Sequence, residues 1–214
     1  ADVMTTATAS DGGYTLNGEK VVVSNGVNAD HVIVSARTSG EQSDESGISL
    51  FMVPADAPGL EKLAYRLMDG QLVANLVLKD VQVPAANLVG DLDQGFGLIE
   101  AVVTDATIAL AAEAVGIMEQ LNAKTLEYTK TRKQFGVAIG SFQALQHRMV
   151  ETFMAYEQTK SLLYRAVCSI TDEKEDTATA VHALKVMLDR AGKLVFSEAI
   201  QLHGGMGLTD ELDI

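Results

Sequence analysis

The sequence contains one cysteine, three prolines and only 16 lysines and arginines against 29 aspartates and glutamates. With Cys168 alone, no internal disulfide can form, which fits a reducing compartment. Its simplest expected role is that of a small buried apolar residue in a helix. The formal net charge of −13 argues against a nucleic-acid binder, whose affinity rests on neutralising phosphates with basic side chains. No run of about 18 consecutive apolar residues occurs, so no membrane span is expected. Ala1-Asp2-Val3-Met4-Thr5 lacks a basic region followed by an apolar one and does not read as a signal peptide. No HExxH, CxxC, GxSxG or P-loop pattern is present, which disfavours metal and nucleophile chemistry. The chain has no initiator methionine and stops at Asp213-Ile214 just after a glycine-rich motif. Both ends are therefore expected to be cuts, with the native polypeptide continuing past Ile214.

What is present divides in two. Hydrophobic residues make up 47% of 214, enough for a sizeable core in one large domain or two ordinary ones. Residues 1–92 carry short alternating, Thr- and Val-rich runs separated by turn signals, at Thr5 to Ser24, His31 to Arg37, Ile48 to Val53, Leu60 to Leu67 and Leu72 to Val83. Leu16-Asn17-Gly18-Glu19-Lys20 has the form of a tight hairpin, because Asn-Gly supplies the positive φ angles of a type I′ turn. Thr38 to Ser46 is polar and reads as a surface loop. An antiparallel barrel or sandwich is predicted.

Residues 93–214 read as helical. No proline interrupts Gly95 to Arg132, and Ile108, Ala111, Ala112, Val115 and Met118 recur at helical spacing. Nearly every face is apolar around Val102 to Met118, which predicts a buried helix. A second helix is predicted from about Ser141 to Ile170, with Leu145, Met149, Phe153 and Tyr156 on one side. A third runs from Ala178 towards Ile200 and carries Val181, Leu184, Leu188, Ala191 and Val195. The predicted class is α+β, an antiparallel β barrel or sandwich followed by an up-down helical bundle. Three long apolar faces leave that bundle incomplete, to be covered by a further helix or a partner chain.

Candidate chemistry is sparse. Arg132 closes the long helix in Arg132-Lys133-Gln134-Phe135-Gly136; its planar fork suits a phosphate, and its charge equally suits a helix C-terminus. In Gln201-Leu202-His203-Gly204-Gly205-Met206-Gly207, the glycines can let backbone amides approach a phosphate, or can simply cap a helix. A lone His203 is more often structural than catalytic.

Five segments in register resemble the acyl-CoA dehydrogenase flavoproteins. Leu16-Asn17-Gly18-Glu19-Lys20 with Ser24-Asn25-Gly26 and Ala29-Asp30 is similar to that family's NGxKxxxTNG…AD. Asp80-Val81-Gln82-Val83-Pro84 with Asn87 resembles DVxVPxxN, and Gly95-Phe96-Gly97 resembles the GxGF entry to the helical domain. Tyr128, Arg132, Gln134-Phe135-Gly136 and Phe142-Gln143 match YxxxRxxFGxxIxxFQ, and Gln201 to Gly207 matches QxxGGxG.

The resemblance implies an FAD-dependent enzyme that converts an acyl-CoA thioester to a trans-2-enoyl-CoA. A carboxylate would take the α-proton and the flavin would accept the β-hydride. It implies that Arg132 and Phe135 contact the diphosphate and adenine side of a neighbouring subunit's FAD. Gln143 would lie near that cofactor, Gln201, Gly204 and Gly205 would line its diphosphate–adenosine end, and Ser24 would donate to the flavin ring. Electron-transfer flavoprotein as acceptor, a homodimer or homotetramer, and a bacterial cytoplasmic or mitochondrial matrix location follow from the same likeness. Val22 stands where many members carry a Trp beside the flavin. The usual catalytic glutamate would lie beyond this chain. The alternative position near the start of the long helix falls at Ala106, and neither Glu100 nor Glu113 inherits it, so no catalytic base is assigned. A non-catalytic or half-site subunit of a heteromer, or an acyl-CoA oxidase, would carry the same motifs.

Overall fold

The computed structural model describes residues 1–172, 176–209 and 211, in two compact units, Ala1–Ala101 and Val102–Ile214. The first unit holds β1 (Thr6–Ser10), β2 (Gly13–Ser24), β3 (His31–Arg37), β4 (Ile48–Pro54), β5 (Leu60–Arg66), β6 (Leu72–Pro84) and β7 (Leu88–Val89). They form one sheet in the order β5-β6-β2-β1-β3-β4-β7. Neighbours pair antiparallel except β1 and β3, which meet in parallel at Thr6 and Arg37. Val32, Val34 and Phe51 from one half of the sheet share a single core with Leu16, Leu76, Leu78 and Val81 from the other. Sharing a core across the sheet requires it to curl, so a barrel-like β unit is what forms.

The polar segment after β3 is a loop, fastened from below. The buried Arg37 guanidinium donates to the carbonyls of Ser46 (2.6 Å), Gln42 (2.8 Å) and Asp44 (2.9 Å). An arginine with its charge shared over several backbone acceptors is a stable way to bury a cation without a carboxylate.

The expected hairpin at Asn17-Gly18 does not occur. The chain reverses earlier, at Asp11-Gly12, where Gly12 has φ +79°, and β2 runs straight through Asn17-Gly18. Gly18 instead marks a bulge in the pairing of β2 with β6. A Cβ there would lie 2.7 Å from the Thr5 Cα, so close backbone approach is what demands glycine. Asn17 pairs across the bulge, its Nδ2 donating to Asp80 Oδ1 (3.0 Å) and its Oδ1 accepting from the Asp80 N–H (2.8 Å). Asn-Gly serves bulges as well as turns.

The helices are α1 (Gly95–Thr131), α2 (Gln143–Ser169) and α3 (Thr177–His203). Ile108, Ala111, Val115 and Met118 of α1, Ala155, Tyr156 and Leu163 of α2, and Leu184, Ala191 and Val195 of α3 make one core. Asp176 caps α3, its carboxylate accepting from the Thr179 N–H (3.2 Å) and hydroxyl (2.6 Å). Between α1 and α2 a small hairpin, absent from the sequence reading, pairs β8 (Lys133–Gln134) with β9 (Val137–Ala138). Its two-residue loop is Phe135-Gly136, with φ of +53° and +81°, the signature of a type I′ turn.

Two expectations about burial fail, that of α1 on nearly every face and that of Cys168. α1 is not buried all round: Ala112 is exposed, as are Val103, Leu110 and Ile117, which recur at seven-residue spacing. Only the stripe of α1 facing the bundle core is covered among the described residues. By length and composition α1 also meets the requirement for a membrane span, although it contains no uninterrupted apolar run of that length. On α2, Phe153 and Cys168 are exposed, because the core stripe passes through Thr152, Ala155, Thr159 and Ala166 instead. The acidic, polar segment Thr171 to Thr177, expected from the sequence as a connection, falls outside the described residues at 173–175, as does most of the segment after Thr209.

Candidate functional site

The last turn of α1 sets Tyr128 and Arg132 four residues apart, and hence on one face. The C-terminus of α3 brings Gln201, His203, Gly204 and Gly205 to the same place. Together with Arg148 of α2 they line a cleft of about 520 Å³ within the bundle unit. Four of the expected residues are thus assembled from segments some seventy positions apart in sequence: Arg132, Gln201, Gly204 and Gly205.

The two arginines of the cleft differ in what they touch. Arg148 is committed, its Nη2 donating to Glu198 Oε1 at 2.9 Å and its Nε paired with the other oxygen. That hydrogen bond, with the carboxylate's charge, raises the guanidinium pKa above its ordinary value. Arg132 is exposed and its guanidinium makes no hydrogen bond or ion pair among the described residues. Its N–H instead continues the helix ladder to Tyr128 O (2.8 Å), and its carbonyl accepts from Ile139 (2.9 Å), so the backbone is fixed while the fork stays free. A free planar fork over a cleft is suited to a bidentate anion.

His203 is structural. It is buried, its Nδ1 lies 2.8 Å from Ala199 O one helical turn back, and its ring packs on Tyr128 at 4.3 Å between centroids. Gly204 has φ +60° and caps α3, its N–H donating to Gln201 O. The capping reading therefore holds for Gly204. A Cβ on Gly204 or Gly205 would meet nothing within 4 Å, so neither glycine is required by crowding, and the space beside both is open. Gly207 is different: a Cβ there would stand 2.5 Å from Ile200 O, so close packing fixes it.

The remaining candidates lie elsewhere. Phe135 projects from the tip of the β8–β9 hairpin at 91% exposure, edge-on to Phe142 at 6.1 Å, and does not line the cleft. Gln143 opens α2, exposed and also outside the cleft lining. Ser24 ends β2 in the other unit, with its side chain exposed. Tyr128, Arg148 and Met206 were not expected as lining residues. Tyr128 could have been found from its i, i+4 relation to Arg132; Arg148 had no local signal.

Two family models match the chain: "Acyl-CoA dehydrogenase, middle domain" over residues 1–81 and "Acyl-CoA dehydrogenase, C-terminal domain" over residues 93–214. The chain is 35% identical over 207 residues to the short-chain specific acyl-CoA dehydrogenase of Megasphaera elsdenii, covering 95% of this chain and 54% of that protein. It is 29% identical over 214 residues to the mitochondrial short-chain specific acyl-CoA dehydrogenase of Homo sapiens, covering 97% and 51% respectively. Among solved structures, the FAD complex of PigA superposes with a TM-score of 0.90 at 30% identity, over 99% of this chain and 55% of that one. The chain spans about half the length of the curated relatives it matches.

Proposed function

The chain belongs to the acyl-CoA dehydrogenase family, and from this premise we propose that it works as part of an FAD-dependent enzyme forming the α,β double bond of an acyl-CoA thioester. The observation that carries the reading is the bundle cleft, lined by the unpaired Arg132 together with Gly204 and Gly205, beside which the space is open. These residues fit a diphosphate: a bidentate cation, a glycine turn without Cβ atoms, and Gln201 as an uncharged donor. FAD, when bound, supplies the hydride acceptor; the protein supplies orientation. Arg132, Gln201, Gly204 and Gly205 would hold the diphosphate–adenosine end. Phe135 and Gln143, exposed beside that end of the bundle unit, would meet the cofactor from outside the cleft. Ser24 would donate a hydrogen bond to the flavin ring.

The finer assignments rest on the same reading. A neighbouring copy would complete the cofactor site, giving a homodimer or homotetramer, and electron-transfer flavoprotein would take the electrons. The higher identity to a bacterial relative than to a mitochondrial one favours the bacterial cytoplasm. The test is anaerobic titration, with a short-chain acyl-CoA, of the FAD-loaded whole enzyme of which this chain is proposed to be part, since no catalytic base is assigned within these 214 residues. Bleaching of the visible flavin band with release of a 2-enoyl-CoA is expected; a flavin that stays oxidised with acyl-CoA bound would remove the dehydrogenase assignment.

A further inference from the structure

The pairing of β2 with β6 contains a second irregularity, next to Ser24. Lys20 pairs with Leu76 and Val23 with Ala74, so Val21 and Val22 together oppose the single residue Asn75. Val22 takes up the extra length with φ +53°, a left-handed conformation that a β-branched residue adopts only when its surroundings impose it. Its N–H, removed from the ladder, donates to the side-chain Oδ1 of Asn75 at 3.0 Å. Because a backbone N–H can only donate, that contact fixes which end of the amide faces β2. The hydroxyl of Tyr65, on β5, donates to the same oxygen at 3.0 Å.

The extra residue decides where Ser24 points. Side chains alternate between faces, so a one-residue slip moves everything beyond it to the opposite face. In the bulged register Ser24 lies opposite Val73, as does Tyr65 from the other side. Val73 and Asn75 are two residues apart, so Ser24, Tyr65 and Asn75 share a face. Without the bulge, Ser24 would fall opposite Leu72, on the face of Ala74 and Leu76, whose side chains are buried in the β core.

We propose that Asn75, oriented by Tyr65, is a positioning residue that pins the Val21–Val22 bulge and so presents the Ser24 hydroxyl to the flavin. This rests on the reading of Ser24 as a flavin contact. Asn75 touches no cofactor itself; it acts through the backbone of Val22.

The experiment is a double-mutant cycle on FAD affinity, read by quenching of flavin fluorescence on titrating FAD into the apoprotein, with the apoprotein melting curve recorded for each variant. Asn75→Ala leaves the Val22 N–H without its acceptor and is expected to weaken FAD binding roughly tenfold. Ser24→Ala should lose a similar factor, and the double variant no more than either single one, because both act at one contact. Asn75→Asp, which keeps the acceptor oxygen, should retain affinity within about threefold. If Ser24→Ala weakens binding while Asn75→Ala does not, or if the two losses multiply in full, the positioning role is overturned and the flavin contact stands. If Ser24→Ala leaves FAD affinity unchanged, the flavin contact itself fails and takes the proposal with it. Should Asn75→Ala not fold, the cycle moves to Tyr65→Phe, which removes the hydroxyl that orients the Asn75 amide. FAD binding weakened severalfold, and no further by adding Ser24→Ala, is expected; an affinity equal to the parent's, or losses that multiply in full, would overturn the proposal.

Discussion

Tyr128 and His203 tie the two helix ends of the cleft together: their rings lie 4.3 Å apart at an interplanar angle of 35°, and the Tyr128 hydroxyl donates to the His203 carbonyl at 3.3 Å. That contact joins the turn preceding Arg132 to the turn preceding Gly204, so the backbone that carries the arginine fork is held at a fixed separation from the glycine turn. Tyr128→Phe keeps the ring packing and loses only the long hydrogen bond. It should lower stability by about 0.5–1.5 kcal/mol in urea unfolding, with FAD affinity reduced less than by any change at Arg132. A larger FAD defect than Arg132→Ala would mean that Tyr128 itself contacts the cofactor.

Arg132→Ala should leave the fold intact, since the side chain is exposed and unpaired, and should weaken FAD binding. A charge-assisted contact is worth about 1.5–3 kcal/mol, so affinity should fall roughly ten- to hundredfold. Arg132→Lys keeps the charge but not the fork and should recover only part of the loss. Unchanged FAD retention at limiting cofactor in Arg132→Ala would take Arg132 out of the site.

Much of this fold is legible in the sequence. The strands at His31, Ile48, Leu60 and Leu72 stand where alternation and flanking Pro or Gly placed them, because period-two patterning and turn residues are local signals. The misses are non-local. Asn17-Gly18 carries the composition of a turn, but whether it bends or bulges depends on Thr5 and Asp80, far away in sequence. The outward stripe of α1 at Val103, Leu110 and Ile117 could not be separated from its inward stripe, since both are apolar and only packing distinguishes them. Cys168 followed composition statistics that its position on the outer side of α2 overrides. The cleft was half visible: Arg132, Gln201, Gly204 and Gly205 sit in motifs, whereas Arg148 enters it only through the packing of α2 on α3.

Acid should loosen the start of α3. The hydrogen bonds from the Thr179 hydroxyl and N–H hold the Asp176 carboxyl below its ordinary value of 3.8. A depressed carboxylate contributes stability that is fully present above its unfolded pKa and is lost as pH falls through the lower folded value. Asp176→Ala should therefore destabilise at neutral pH and show a shallower loss of stability on acidification than the parent protein. Parallel acid limbs in the two urea-midpoint profiles would show that the cap is not coupled to the fold.

Lys20 also adds stability as pH rises, but because the fold disfavours its charged form rather than favouring it. Its ammonium is half-buried, and burial pushes its pKa below the ordinary 10.5, while Nζ donates to Ser35 Oγ at 3.1 Å. Glu19 and Asp2 line a hollow of the β unit together with Lys20 but form no ion pair with it among the described residues. In the interval between the lowered folded value and 10.5, the unfolded chain binds more protons than the native one, so stability rises with pH across that interval. Below it the charged amine carries a constant desolvation cost. Lys20→Met removes the buried charge and keeps the apolar stem, so the variant should be at least as stable at neutral pH despite losing the bond to Ser35. The alkaline rise contributed by Lys20 should vanish with it. Urea midpoints measured from neutral pH up to the ordinary lysine range decide the matter: a parent and a Lys20→Met variant with the same slope would show that the amine is as well solvated in the fold as in the unfolded chain.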